Sequence, residues 1–201
     1  MKQFGKLIII TGATVSGKDT VVAALLKAHP SWKKVVTTTT RPIRPGEIDG
    51  EDYYFISVEA FQEIKEKNEF LETVEYAGNN YGTTKSTLDP VFQGHNLIWR
   101  IDASRSSEIN KLFDHCFDKE TAQNIKANTK VIYLKLPDDA TRQKHFLKRG
   151  MEKSDIAKRI KQDEIDWDLG KFENIVINYD GQLNKTIEEV ERIINYSCST
   201  I

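Results

Sequence analysis

Short apolar runs rich in β-branched residues alternate along the chain with longer stretches of helical period. The strand-like runs are Leu7–Thr11, Val35–Thr37, Leu97–Ile101, Val131–Leu134 and Ile175–Ile177. They lack polar alternation, which predicts parallel strands buried on both faces. Helical spacing runs from Lys18 to about Ala28, over Asp139–Lys148, over Ser154–Trp167 and over Thr186–Tyr196. In the last of these Ile187, Val190, Ile193 and Ile194 share one face. Strands and helices in this order predict a three-layer α/β domain around a central parallel sheet.

Residues 38–85 break the rhythm. The stretch RPIRPGEIDGEDYYF supplies Pro and Gly turns, followed by strand-like YYFIS and FLETVEY around a short helical VEAFQEIKEK. This segment reads as a small, mostly antiparallel insertion. A second insertion, 138–169, is helical and turns at the glycine of LKRGMEKSDIAKR. The core is then 1–37, 86–137 and 170–201, all in one domain.

Composition narrows the function. With 29 basic against 30 acidic side chains, the net charge is -1, which gives no reason to expect a nucleic-acid or membrane partner. The apolar run Leu7–Ile10 is too short for a signal-peptide core or a membrane span. Cys116 and Cys198 match no metal or redox spacing. Together these features predict a cytoplasmic protein, monomeric or homodimeric.

The first chemical signal is GATVSGKDT, residues 12–20. Gly12, four residues, Gly17 and Lys18 follow a buried strand and open a helix, which is the context of a phosphate-binding loop. Backbone N–H groups of Gly12, Ala13, Thr14, Val15, Ser16 and Gly17 at a helix N-terminus hold phosphate oxygens there, and Lys18 adds a full charge. Asp19 stands where this pattern usually has Ser or Thr, and the hydroxyl comes one residue later, at Thr20. Both offer oxygen to Mg²⁺, so the motif predicts ATP with Mg²⁺ and leaves the metal shell open.

The second signal is TTTTRPIRPGEIDGEDYYF, residues 37–55. Prolines stiffen the chain around Arg41 and Arg44, whose guanidinium forks suit a phosphate. Tyr53 and Tyr81 can donate to the same phosphate. Glu72 can accept from guanine N1–H and the 2-amino group, a donor pair that adenine lacks, and the Thr37 and Thr83 hydroxyls suit the neighbouring base edge. Singly, each of these is as well read as a surface charge or a strand residue.

With Thr39, Thr40, Arg41, Arg44, Gly46, Glu47, Gly50, Asp52, Tyr53 and Phe55 at the signature spacing, and with NEFLE and GNNYGTT downstream, the chain resembles the guanylate kinase family. The resemblance runs from the loop to the C-terminal helix. It implies a P-loop kinase fold with an acceptor-binding insertion and a helical lid, and transfer of the γ-phosphoryl group of Mg·ATP to guanosine monophosphate. It also implies that Lys18, Arg41, Arg149 and Arg159 serve the transfer and that Asp102 helps to hold Mg²⁺ through water. A further lid arginine of the family aligns with His145, and Arg142, Lys144 or Lys148 could substitute for it. Arg100 stands where the family has a carboxylate near the acceptor, and the expected Gln-Gly pair is absent. That cation can pair with Asp102 or Glu72, or touch the acceptor phosphate. GKDT, ASR and NYDGQL are also similar to ribose 1,5-bisphosphate phosphokinase, whose acceptor has no base for Glu72 to read. A non-catalytic peptide-binding module of the guanylate kinase type is the other alternative; such a module would be expected to lose the loop lysine, and Lys18 is present.

Overall fold

The computed structural model describes residues 4–76, 78–152, 156–157, 160 and 169–196. Among the described residues there are nine strands: β1 (Leu7–Gly12), β2 (Lys33–Lys34), β3 (Thr38–Thr39), β4 (Tyr54–Phe55), β5 (Phe70–Tyr76), β6 (Asn79–Thr84), β7 (Leu97–Arg100), β8 (Thr129–Lys135) and β9 (Asn174–Ile177). The helices are α1 (Lys18–Ala28), α2 (Val58–Glu66), α3 (Asp89–Phe92), α4 (Ala103–Ser107), α5 (Ile109–Cys116), α6 (Lys119–Ala127), α7 (Asp139–Lys148) and α8 (Leu183–Asn195). Five strands form the central sheet in the order β2-β7-β1-β8-β9, and four form a second sheet in the order β4-β3-β6-β5. This is the α/β architecture that the alternation predicts. No helix among the described residues is long and apolar enough to cross a membrane.

The chain divides into two compact units. One comprises Ile8–Trp32, Arg100–Ile109 and Thr129–Ile201. Its core joins Ile8, Ile9 and Ile10 of β1, Val21 and Leu25 of α1, and Ile132 and Leu134 of β8 to Val176, Val190 and Ile194. Helix α8 packs on α1 and β9, so the amphipathic C-terminal pattern covers the end of the sheet on which the phosphate-loop helix begins. Its Ile187 and Ile193 are only half-buried, while Val190 and Ile194 take the core.

The other unit comprises Met1–Leu7, Lys33–Trp99 and Asn110–Asn128. It holds the second sheet, in which β3 runs parallel to β4 but antiparallel to β6, and β5 antiparallel to β6. The insertion is thus a mixed sheet. Elsewhere in this unit aromatic edge contacts join Phe4, Phe92 and Phe117, with Phe113 beside Phe117.

Three expectations need correcting. Ile175–Ile177 lies in a strand, β9, but not one buried on both faces: Val176 is buried while Ile175 and Ile177 are exposed at the edge of the sheet. Val35–Thr37 is not a strand: it is the link between β2 in one sheet and β3 in the other. Val35 N–H still donates to Ile98 at 2.8 Å, and two residues on the Thr37 carbonyl accepts from Tyr54 N–H at 2.9 Å. The β-branched run has strand propensity but is shared between two partners. Residues 102–128, where no element is expected, form α4, α5 and α6, the first and third opened by the N-caps Asp102 and Asp118. The candidate helix Ser154–Trp167 falls largely outside the described residues.

Candidate functional site

The phosphate loop is built from the end of β1. Every residue of that strand is buried, so it delivers Gly12 at a fixed point. The chain then turns through 13–17 and enters α1, whose N-cap, Gly17, has φ 90 and no side-chain cap. A left-handed residue there is readily supplied by glycine. A Cβ on Gly17 would also collide with the Asn178 side-chain amide. The first turn of α1 therefore keeps backbone N–H groups that no capping side chain takes, which is the donor set an anion needs.

Lys18 folds back over this turn, and its Nζ donates to the carbonyls of Gly12 at 2.7 Å and Ala13 at 2.6 Å. Val15 has φ 60, a costly conformation for a β-branched residue. Burial of its side chain with Leu136, Phe146 and Ile156 holds it there. Ser16 Oγ is buried with no protein partner.

Of the metal candidates, Asp19 and Thr20 lie exposed on the first turn of α1. Asp102 N-caps α4, accepting from Arg105 N–H at 3.0 Å. Arg100 pairs with neither Asp102 nor Glu72. Its Nε meets Asp19 Oδ1 at 3.1 Å, with the two side chains 41% and 66% exposed. The cation expected near the acceptor thus lies beside the altered position of the loop. No cluster of His, Cys, Asp or Glu able to hold a metal unaided occurs among the described residues. An all-oxygen set of one or two carboxylates with a hydroxyl still fits Mg²⁺, which completes its shell with water and substrate phosphates.

Of the lid residues, Arg149 is the exposed C-cap of α7, followed by Gly150 with φ 73. Arg142 is buried over the Phe146 ring, and Lys144 bonds Asp180 at 2.9 Å. Lys148, the third candidate substitute, is exposed at the end of α7, and His145 itself reaches the loop, 3.1 Å from the Val15 carbonyl. Arg159 lies outside the described residues.

The acceptor cluster belongs to the other unit. Arg41 is only 7% exposed, unlike the surface charge it could have been. Its guanidinium makes a bidentate pair with Glu47, both bonds 2.7 Å, and lies 5.1 Å from the Tyr53 ring centroid and 5.3 Å from that of Phe55. Tyr81 lies near the same guanidinium and meets Tyr53 edge-on at 6.0 Å. The bond to Glu47, opposed by burial, holds the Arg41 pKa above its ordinary value. Arg41 and the Arg44 backbone N–H together pull Glu47 down to about 2. Arg44 is joined to the cluster through that N–H, 2.9 Å from Glu47, and its own side chain is exposed.

Glu72 and Thr83 face each other across β5 and β6. Thr83 is fully buried and its hydroxyl donates to Glu72 Oε1 at 2.9 Å. Gly82, next along β6, leaves room for the Phe70 ring, because a Cβ there would lie 2.7 Å from that ring and 3.1 Å from the Glu72 carbonyl. Thr37 is half-buried at the entry to β3.

Glu47 is the main residue that spacing alone does not reveal. It sits in the quoted signature, yet a role in holding Arg41 requires the turn at Gly46, φ 87, to fold it back. Asn178 is the other. Its Nδ2 donates to the Ser16 carbonyl at 2.9 Å while its Oδ1 accepts from Thr186 at 3.0 Å.

The chain matches the guanylate kinase family model over residues 4–197. It is 44% identical over 110 residues to a guanylate kinase of Nostoc sp., covering 54% of this chain and 55% of that one. With a guanylate kinase of Synechococcus elongatus it shares 32% over 195 residues, covering 96% and 98%. The chain spans 55% to 60% of the length of three relatives and nearly the whole of others. A crystal structure of guanylate kinase from Anaplasma phagocytophilum shares the fold, with TM-score 0.59 and 24% identity over 96% of this chain and 85% of that one.

Proposed function

The chain belongs to the guanylate kinase family, and from that premise we propose that it transfers the γ-phosphoryl group of ATP to guanosine monophosphate, giving ADP and guanosine diphosphate. The observation that carries the reading is the registered pair Glu72–Thr83 on the same small sheet that buries Arg41 with Tyr53 and Tyr81. One end of that sheet reads a guanine edge and the other takes a phosphate monoester.

ATP is held by residues 12–20. Lys18 exchanges its loop carbonyls for β- and γ-phosphate oxygens, and the amides of the α1 N-terminus take the remaining charge. Mg²⁺ fits the oxygens of Asp19, Thr20 and Asp102, and when bound it would neutralise charge on the phosphates. Phosphoryl transfer asks a protein chiefly for alignment and positive charge rather than for acid–base groups. Arg41 and Arg44 position the acceptor phosphate, with Tyr53 and Tyr81 donating to it. Glu47 holds the planar Arg41 guanidinium in place before the acceptor arrives, so less rotamer entropy is lost on binding. Thr37 and Thr83 complete the base contacts of Glu72. The acceptor insertion is 38–85. In the lid, 138–169, Arg149 and Arg159 close over the ATP phosphates and exclude water.

The test is ADP release with Mg·ATP and, in parallel, guanosine monophosphate, adenosine monophosphate and ribose 1,5-bisphosphate. Turnover with the guanine nucleotide alone is expected. Preference for the sugar bisphosphate, or silence with all three, would overturn the reading.

A further inference from the structure

Two consecutive carbonyls of the phosphate loop are tied from behind. The Ser16 carbonyl accepts from Asn178, which Thr186 of α8 orients. The Val15 carbonyl accepts from His145 Nδ1 at 3.1 Å, and His145 Nε2 meets Asp180 Oδ1 at 2.6 Å. The other Asp180 oxygen, Oδ2, accepts from Lys144 at 2.9 Å. A trans peptide plane points its C=O and N–H in opposite directions. Anchoring these carbonyls therefore also fixes which way the Ser16 and Gly17 N–H groups face. Val15 is where such anchoring matters most, because φ 60 in a β-branched residue persists only when the surroundings over-determine it.

The partners also define the state of the ring. A carbonyl oxygen and an ionised carboxylate are both acceptors, so satisfying the two contacts together requires both ring nitrogens to donate. Lys144, then His145, hold the Asp180 carboxyl below its usual range. Among the described residues, the charged groups bonded around the ring are Asp180, from the turn after β9, and Lys144, from α7 itself. The loop presents only the Val15 carbonyl, its own cation Lys18 being turned to Gly12 and Ala13.

We propose that His145, oriented by Asp180, is a positioning residue for the ATP site: its imidazolium clamps the strained Val15 peptide and so presets the phosphate loop. The inference rests on reading that loop as the ATP site. His145→Gln keeps a single donor and loses the charge. Losing one charge-assisted bond is expected to raise KM for ATP and Kd for ADP about fivefold to tenfold, with KM for guanosine monophosphate unchanged. His145→Arg restores a fixed cation with several donors, and is expected to return both ATP parameters to within about twofold. In the unsubstituted full-length chain near neutral pH, the His145 ring ¹⁵N resonances, assigned by their absence from the Gln variant, should both be of the protonated type. Asp180→Asn should convert one of them to the unprotonated type.

If the unsubstituted chain binds neither ATP nor ADP, the nucleotide reading fails, and the clamp falls with it. If it binds them and the Gln variant keeps its ATP affinity, only the clamp is wrong. An unprotonated ring nitrogen in the unsubstituted chain overturns the clamp. So does an equal loss toward both substrates that arginine does not repair, since that is the mark of a merely structural contact.

Discussion

Glu72→Gln tests base recognition with almost no change of shape. In the native sheet the carboxylate has one oxygen oriented by the Thr83 hydroxyl at 2.9 Å, and in the proposed complex it accepts from guanine N1–H and the 2-amino group. Glutamine keeps an acceptor for Thr83 or for one guanine donor, but it places an NH₂ against the other. The loss is one charge-assisted bond and one mismatched donor pair. A hydrogen bond to a charged group contributes about 1.5–3 kcal/mol. Because Glu72 is half-buried, the lower end applies, and two weakened contacts give about 2–3 kcal/mol in all. That corresponds to a fall of roughly 30- to 150-fold in kcat/KM for guanosine monophosphate.

Adenosine monophosphate has no such donor pair to lose, so its poor kcat/KM should stay level or rise. The ratio of the two, from coupled ADP-release assays run side by side, is the quantity to measure. KM for ATP serves as internal control and should not move. An unchanged ratio would remove Glu72 from the base site. A loss shared equally by both nucleotides would mean that the substitution had damaged the sheet.

Lys18→Ala should reduce kcat by at least about a hundredfold, as for removal of one preorganised oxyanion donor; near-normal turnover would end the phosphate-loop assignment. Gly82→Ala overpacks β6 against the Phe70 ring and should cost about 1–3 kcal/mol in urea unfolding, with KM for guanosine monophosphate raised and KM for ATP spared. The Glu47 carboxyl has its folded pKa lowered from 4.5 to about 2, so its stabilisation is fully present above pH 4.5 and lost as pH falls toward 2. Unfolding of Glu47→Gln should accordingly diverge most from the parent above that window and converge with it on acidification; parallel curves would rule out the pairing. Asp19→Ser and Arg100→Asp should each lower activity at limiting Mg²⁺, while the double variant recovers; strict additivity would deny that the two sites are coupled.

How much of this was legible in the sequence depended on contact range. β1, the loop and α1 form one contiguous motif, and α7 and β5 have clean periods of their own, so their ends fall where the pattern puts them. The run Val35–Thr37 misled because a tertiary branch between two sheets overrides its β-propensity. Residues 102–128 were more readable than the strand-and-helix rhythm suggested: Asp102 and Asp118 each stand in an N-cap position, and Ile109, Leu112, Phe113 and Cys116 repeat at helical spacing. Within the site, Glu72–Thr83 could be anticipated as two polar residues suited to one base. The hold of Glu47 on Arg41 spans only six residues but depends on a turn that returns the carboxylate bidentately. Contacts such as His145 with Val15, Asn178 with Ser16, and Arg100 with Asp19 link separate elements and leave no local trace.

These long-range pairs explain how the loop accepts residues that depart from the family pattern. A hydroxyl after the loop lysine with a carboxylate at the strand end would carry one negative charge between them. Asp19 with Arg100 carries none, and places the cation beside the carboxylate that replaced the hydroxyl. An ion pair this exposed is worth at most about 1 kcal/mol, so it screens Asp19 without competing strongly with a divalent cation at the same oxygen. At the lid, where the family has an arginine, the proposed clamp keeps a cation, set against Asp180 and directed to the loop's own backbone. Both departures keep or increase the positive charge around the phosphates. Both also lie in the unit that carries the phosphate loop, whereas the signature over residues 39–55 is intact residue by residue. That contrast fits the physics of the two tasks, since many surroundings can fix a backbone cradle but few side chains can discriminate a base.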